Sequence, residues 1–148
     1  MIFVTGGTGL LGAHLLFDLV SKGNKVRALK RESSNIEVVK KVFGYYSNDS
    51  TLFDKIEWVE GNTLDIVSLD EALQAVKTVY HCAAMKHVHL SEVNSFEAVE
   101  TNINGTHNVV RAALTCNVSR VIFTSSDKAV NPTSTMGATK LVAERIIS

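Results

Sequence analysis

The amino terminus constrains the fold of this chain more than any other stretch. A short β-branched and aromatic run, Ile2–Thr5, stops at a group of glycines, and an apolar run with helical spacing follows them directly. Three of the glycines, Gly6, Gly9 and Gly12, have the spacing G-x-x-G-x-x-G. A strand, a glycine turn and a helix in this order are typical of a site where backbone N–H groups bind a pyrophosphate. The motif predicts a dinucleotide site, and the alternative is a glycine-rich turn that binds nothing.

The segment after the glycines supplies the context that such a motif needs. Leu10–Ser21 is predicted to be a helix, and Gly23 stands just beyond it, where a helix commonly ends. Lys25–Leu29 is then predicted to be a second strand. Strand, helix and strand together form one βαβ unit of about 30 residues, which is the setting of a dinucleotide fingerprint.

The residues after the second strand indicate which cofactor is bound. An acidic residue here would accept hydrogen bonds from the ribose 2′-hydroxyl of NAD, but the chain reads Lys30-Arg31-Glu32-Ser33-Ser34. Two cations and two hydroxyls suit a 2′-phosphate, so the sequence favours NADP over NAD. Two alternatives stay open, because Glu32 is compatible with NAD and the same segment can be a solvated loop.

The rest of the chain alternates between strand and helix patterns. Residue spacing predicts further strands at 55–60, 78–82 and 120–124, and helices at 35–46, 68–75, 95–116 and 135–148. Residues 83–91 are predicted to be a loop, and Asn102 and Gly105 interrupt the long helix. The alternation predicts an α/β chain with a Rossmann-type, doubly wound parallel sheet and helices on both faces.

Length and composition limit the class of protein. A chain of 148 residues has the usual size of one domain, so residues 1–148 are expected to form a single NAD(P)-binding unit. Its 15 basic and 15 acidic residues cancel, which argues against a nucleic-acid partner. The apolar start has no basic flank and contains four glycines, so it is a poor signal peptide or membrane span. We expect a soluble cytoplasmic protein with no membrane partner.

Polar and small residues follow the predicted strands, whose ends share one edge in a parallel sheet. The candidates are Asn62 and Thr63 at an adenine, Ala83 and Ala84 beneath a cofactor, Lys86 at a phosphate, and Ser125, Ser126, Asp127 and Lys128 near a nicotinamide. His87 and His89 form a His-x-His pair without a third ligand at a suitable spacing, so no metal site is predicted.

Four segments carry a family resemblance: Thr5–Gly12, His81–Lys86, Thr101–Thr106 and the final Lys140. They resemble the extended short-chain dehydrogenase/reductase superfamily of NAD-dependent epimerases and dehydratases. Residues 80–148 more narrowly resemble the UDP-N-acetylglucosamine 4,6-dehydratases of polysaccharide biosynthesis, through Ala84-Met85-Lys86-His87-Val88 and the run from Ser126 to Lys140. Residues 1–75 look like general epimerase/dehydratases, so the sequence reads as a mosaic.

The resemblance implies a role for each matching position. For cofactor binding it implies Gly6, Gly9, Leu10, Leu11 and Gly12 at the pyrophosphate, Asn62 and Thr63 at the adenine, Ala83, Ala84 and Lys86 along the cofactor, and Lys140 at the nicotinamide ribose. Asn102 would support the site from within a helix, where a buried amide needs hydrogen-bond partners; a purely structural role is the alternative.

The resemblance also implies a reaction on a nucleotide sugar. A hydride would leave C4 of the sugar transiently, and Lys140 would assist at the catalytic centre. The hydroxyl of Ser126 would lie near the C4 oxygen, and Asp127 and Lys128 would be the acid/base pair for loss of water across C5 and C6. The alternative for Asp127 and Lys128 is an exposed ion pair in a loop.

One position departs from the superfamily pattern. The residue four before Lys140 is usually a Tyr that removes the substrate proton, and here it is Met136. A thioether is not a general base. One subgroup of the dehydratases also has Met here, so the residue does not exclude activity. Activity would require another base, and Asp127 is the candidate.

The chain also ends early for this superfamily, whose C-terminal part binds the nucleotide sugar. We therefore expect the substrate domain to be absent and the chain to be the cofactor-binding part of a longer enzyme. The chain is expected to be inactive by itself. A homodimer is the one protein assembly that the resemblance suggests. The alternatives are a non-catalytic NAD(P)-binding module and an engineered or recombined Rossmann domain.

Overall fold

The computed structural model describes residues 1–148 as a five-stranded parallel sheet with helices on both faces. The strands are β1 (Ile2–Thr5), β2 (Val26–Lys30), β3 (Ile56–Glu60), β4 (Thr78–His81) and β5 (Arg120–Phe123). Their order across the sheet is β3-β2-β1-β4-β5. The chain builds outward from β1 in one direction and then crosses back to the other side. The carboxyl end of β1 is therefore the switch point, where such sheets bind ligands.

The central strand is buried on both faces, as parallel strands are. Phe3 and Val4 are adjacent in β1, point to opposite faces and are both fully buried. Val4 packs in a core with Leu16 and Phe43, and Phe3 packs in a second core with Leu69. The predicted doubly wound α/β sheet is confirmed.

The helices connect the strands and cover the sheet. They are α1 (Leu10–Ser21), α2 (Glu37–Tyr46), α3 (Thr51–Asp54), α4 (Ile66–Ala72), α5 (Val88–Val93), α6 (Ser95–Val99), α7 (Gly105–Thr115) and α8 (Thr135–Ile147). A π-helical turn at Glu100–Asn104 joins α6 to α7, and a 3₁₀ turn at Asp127–Ala129 follows β5. No helix has both the length and the apolar character to cross a membrane.

One prediction of local structure is wrong, and one short helix was not predicted. The expected loop at 83–91 contains the start of α5, and α3 follows the helix predicted at 35–46. Both helices have six residues or fewer, and between them only Ser91 is buried, so neither has the apolar periodicity that reveals a helix. The long helix predicted at 95–116 exists, but it has π geometry at Glu100–Asn104, a turn that contains Asn102 and ends just before Gly105.

Candidate cofactor site

One cleft of about 920 Å³ opens along the carboxyl edge of the sheet. It has the size expected of a pocket for a cofactor-sized molecule. Of the residues predicted for the site, those that line it are Gly6, Gly9, Leu10, Leu11, Gly12, Arg31, Asn62, Thr63, Ala83, Ala84, Lys86, Ser125, Ser126, Lys128 and Lys140. Three predicted residues, Lys30, Asn102 and Asp127, do not line it.

In the glycine loop, backbone atoms lie so close to neighbouring backbone that side chains would not fit. Gly6 has a φ of +69°, and a Cβ there would lie 2.6 Å from the backbone N of Ala83. A Cβ on Gly12 would lie 2.1 Å from the Gly6 carbonyl oxygen. The turn is closed by the Gly9 N–H, which donates to that same carbonyl over 3.0 Å.

Gly9 is also the N-cap of α1, with no side-chain cap and no acidic residue in the first turn. Leu10 and Leu11 are exposed at this end, and the first helical N–H groups have no acceptor within the helix. Because these groups and the positive end of the helix dipole face the cleft, the loop can hold an anionic group.

The two cations after β2 have different surroundings. The Nζ of Lys30 lies 3.3 Å from an oxygen of Glu60, its register partner on β3, so its charge is neutralised on the sheet. The assignment of Lys30 to the cofactor stays a prediction. Arg31 lies beyond the strand and lines the cleft, and its backbone N–H donates to Ser34 Oγ over 3.1 Å.

The end of β3 forms the side of the cleft assigned to the adenine. Asn62 Oδ1 accepts a hydrogen bond from the Leu64 N–H over 3.1 Å, which shapes the turn. Thr63 is buried, and its carbonyl accepts from Asn108 Nδ2 on α7 over 3.1 Å. This hydrogen bond holds the wall against α7.

Asn102 lies behind the cleft wall. Its Oδ1 accepts from the Met85 N–H over 2.8 Å, while its Nδ2 donates to the Met85 carbonyl over 3.1 Å and to Thr139 Oγ1 over 2.9 Å. The amide therefore joins the segment after β4 to α8 and has no free atom for a cofactor. Asn102 thus lies behind the residues that line the cleft, and its supporting role at a cofactor stays a prediction.

Lys140 lines the cleft but is nearly buried, at 5% exposure. Its Nζ donates to the Thr124 carbonyl over 2.6 Å and lies 3.9 Å from the ring centroid of Phe123. Burial lowers the pKa of Lys140 to about 8, against smaller opposing effects of Cys82 and Glu144. Met136 also lines the cleft one turn earlier on α8.

The Ser126-Asp127-Lys128 segment forms the 3₁₀ turn at the mouth of the cleft. Ser126 Oγ accepts from the Lys128 N–H over 3.2 Å and donates to Asp127 Oδ1 over 3.1 Å. The Asp127 side chain is 89% exposed, and its carboxylate lies 3.6 Å from Lys128 Nζ. The Ser126 hydrogen bond and the charge of Lys128 lower the pKa of Asp127. The Asp127 carboxylate lies outside the cleft lining, and the expected contact of all three residues with a sugar stays a prediction.

A buried histidine near the site enters the sequence argument only as the first residue of the His81–Lys86 segment. His81, the last residue of β4, is fully buried and hydrogen-bonds Thr5 and Thr106. Burial lowers its pKa to about 3, with a further effect of the charge on Lys140, so the ring is neutral. The available signal was the position of His81 two residues after Val79 on the same strand, which places both side chains on one face of the sheet.

The cleft also has an acidic wall that the sequence argument missed. Glu97, Glu100 and Thr101 line it from α6 and the π-helical turn. The search for site residues followed the strand ends, and these three residues stand on a helix whose approach to the cleft only the fold reveals.

Comparison with known proteins gives consistent matches along the whole chain. A family model described as "Polysaccharide biosynthesis protein" matches residues 2–148. An uncharacterized membrane protein of Methanocaldococcus jannaschii is 40% identical over 153 residues, which cover 98% of this chain and 41% of the relative. The UDP-glucose 4-epimerase of Rickettsia rickettsii is 32% identical over 150 residues, which cover 98% of this chain and 42% of the epimerase.

A solved structure has the same fold. MoeE5, in complex with UDP-glucuronic acid and NAD, matches with a TM-score of 0.81 and 26% identity, over 99% of this chain and 48% of MoeE5. This chain spans about two fifths of the length of the curated relatives it matches.

Proposed function

This chain belongs to the polysaccharide biosynthesis protein family, within the extended short-chain dehydrogenase/reductase superfamily, and from that premise we propose that it is the NAD(P)-binding part of an enzyme acting on nucleotide sugars. The observation that carries the proposal is the glycine loop at the switch point of the sheet, where a helix N-terminus faces a cleft of about 920 Å³. Relatives that act on UDP-glucose and a structural neighbour with bound NAD support it.

The proposed cofactor contacts divide the cleft into three parts. The backbone of Gly9, Leu10 and Leu11 would hold the pyrophosphate, Asn62 and Thr63 would face the adenine, and Lys140 would bind the nicotinamide ribose. Lys140 already donates to the Thr124 carbonyl and lines the cleft, so its position requires no rearrangement of α8.

NADP is the proposed preference between the two dinucleotides, and Arg31 is the residue that supports it. Arg31 belongs to the cleft lining, together with Ser34, and a guanidinium and a hydroxyl suit a 2′-phosphate. Lys30 contributes little, because Glu60 neutralises it. The NAD bound to MoeE5 favours the opposite preference, so the ratio of the two affinities is the quantity to measure.

The proposed reaction of the whole enzyme is dehydration or epimerisation of the sugar, for which a bound nicotinamide would supply reversible hydride transfer at C4. For dehydration, Asp127, whose pKa is lowered by the Ser126 hydrogen bond and the charge of Lys128, is the proposed acceptor of the proton from C5. Lys128 in the cleft is the proposed proton donor to the hydroxyl that leaves C6. Ser126 would orient the sugar oxygen. Met136 takes no part in proton transfer.

A second candidate function is a cofactor-binding module without catalysis. Two observations favour it: Met136 occupies the position of the usual Tyr, and the Asp127 carboxylate lies outside the cleft lining. The two functions share the dinucleotide site and differ in proton transfer.

Calorimetric titration of the chain with NAD and NADP tests the shared part of the proposal. Binding of either dinucleotide supports the proposal, and a chain that binds neither NAD nor NADP at millimolar concentration would refute it. Assay of the longer protein with UDP-sugars then separates the two functions. An active enzyme that loses activity in Asp127→Asn but keeps its cofactor affinity supports catalysis, and an inactive enzyme that still binds the cofactor supports the module.

A further inference from the structure

A hydrogen-bonded chain runs behind the cleft through the buried His81. Its Nδ1 lies 2.6 Å from Thr5 Oγ1, and its Nε2 lies 3.0 Å from Thr106 Oγ1. Thr5, His81 and Thr106 are all fully buried. The three residues belong to β1, β4 and α7, so the chain crosses from the centre of the sheet to a covering helix.

The donors and acceptors allow only one direction along this chain. Thr106 Oγ1 donates to the Asn102 carbonyl over 2.7 Å, because a carbonyl oxygen can only accept. The hydroxyl proton of Thr106 is therefore engaged in the bond to Asn102. His81 must then donate from Nε2 to Thr106 Oγ1. With its proton on Nε2, the neutral ring accepts at Nδ1 from the Thr5 hydroxyl, which in turn accepts from the Ala83 N–H over 3.3 Å.

Both ends of this series of hydrogen bonds lie next to a wall of the cleft. Thr5 immediately precedes Gly6, whose missing side chain leaves room for Ala83 and Cys82. Asn102, at the other end, holds Met85 through both of its backbone groups. A histidine that only filled the core would have no reason to connect these particular segments.

We propose that His81 is a positioning residue that holds the glycine loop in register with the wall at residues 83–86 by donating from Nε2 and accepting at Nδ1. The inference rests on the proposed function, since it concerns the distance between the pyrophosphate end and the nicotinamide end of the same dinucleotide site. His81 itself touches neither end. It acts through Thr5 on one side and through Thr106 and Asn102 on the other.

Three variants on α7 test the inference through cofactor affinity. Thr106→Val keeps the shape of the side chain and removes the acceptor for His81, and Thr106→Ser restores the hydroxyl. Thr115→Val is the matched control, because Thr115 makes the same hydroxyl-to-carbonyl bond four residues back, to Arg111, on the exposed end of the helix. We expect the dissociation constant for NAD to rise about tenfold in Thr106→Val, which equals about 1.4 kcal/mol, and to return toward the wild-type value in Thr106→Ser.

The outcomes separate this inference from the proposal on which it rests. Wild-type chain that binds neither NAD nor NADP refutes the dinucleotide site itself. Binding that is unchanged in Thr106→Val, or lowered equally in Thr115→Val, overturns the positioning role alone.

A spectroscopic measurement needs no variant. Side-chain ¹⁵N spectra of the labelled wild-type chain distinguish a protonated from an unprotonated ring nitrogen. We expect His81 to carry its proton on Nε2 with Nδ1 unprotonated near neutral pH. A proton on Nδ1, or on both nitrogens, would overturn the inference even where Thr106→Val does not fold.

Discussion

Replacement of Gly12 by Ala tests the close approach on which the glycine loop depends. Gly12 lies in the first turn of α1, and helix propensity alone predicts that Ala stabilises this position by about 1 kcal/mol. The structure predicts the opposite. A Cβ at Gly12 would lie 2.1 Å from the Gly6 carbonyl oxygen and 2.7 Å from the Gly7 Cα, and both atoms belong to the backbone.

The magnitude follows from what must move. No flexible side chain can give way, so the loop at Gly6 and Gly7 must shift away from α1, and overpacking of this kind costs about 3 kcal/mol at the upper end of its usual range. Subtracting the gain of about 1 kcal/mol in helix propensity leaves a net loss of about 2 kcal/mol. For a chain of this size the melting temperature should fall by about 4–8 °C.

Gly44→Ala is the matched control. Gly44 also lies within a helix, α2, but a Cβ there would meet nothing within 4 Å. This variant should gain about 1 kcal/mol and melt about 2–4 °C higher, because only the propensity changes.

Thermal and urea unfolding of the three proteins measure these differences, and titration with NAD measures the consequence for binding. The dissociation constant should rise at least about tenfold in Gly12→Ala, since loss of one hydrogen bond to a charged phosphate costs about 1.5 kcal/mol or more. It should stay unchanged in Gly44→Ala. A Gly12→Ala protein that is as stable as wild type and binds NAD equally would refute the reasoning.

Three further predictions follow from the site. Lowering the pH from 6.5 to 5 should destabilise the chain by about 2 kcal/mol in urea unfolding. The reason is that the pKa of His81 is 6.5 in the unfolded chain and about 3 in the folded chain, so only the unfolded chain takes up a proton in this interval. An unfolding free energy that does not change with pH would contradict this. Arg31→Ser should lower the affinity for NADP relative to that for NAD by about tenfold, the effect of one lost charged contact. Lys30→Ser should leave the ratio of the two affinities unchanged. Equal effects of the two variants would show that Glu60 does not neutralise Lys30. Lys140→Met should weaken the binding of both dinucleotides in the same titration, and unchanged affinity would exclude the proposed ribose contact.

The sequence by itself determined the βαβ start, the parallel sheet and the edge at which the cleft lies. These features depend on local order along the chain: apolar runs of strand length, glycines at a fixed spacing, and a helix directly after them. The glycine spacing was sufficient because Gly6 and Gly12 meet across a few residues of backbone. A contact between near neighbours is visible in the order of residues.

Only the tertiary structure decided which of the polar residues belong to the cleft. Lys30 and Arg31 are adjacent in sequence, yet strand register pairs Lys30 with Glu60 and leaves Arg31 at the cleft. Asn102 lies behind the cleft wall, and from the π-helical turn its amide hydrogen-bonds the backbone of Met85. His81 gained its partners from β1 and α7, which lie 76 and 25 residues away along the chain. Such contacts depend on register and helix geometry, which residue spacing along one strand or one helix does not contain.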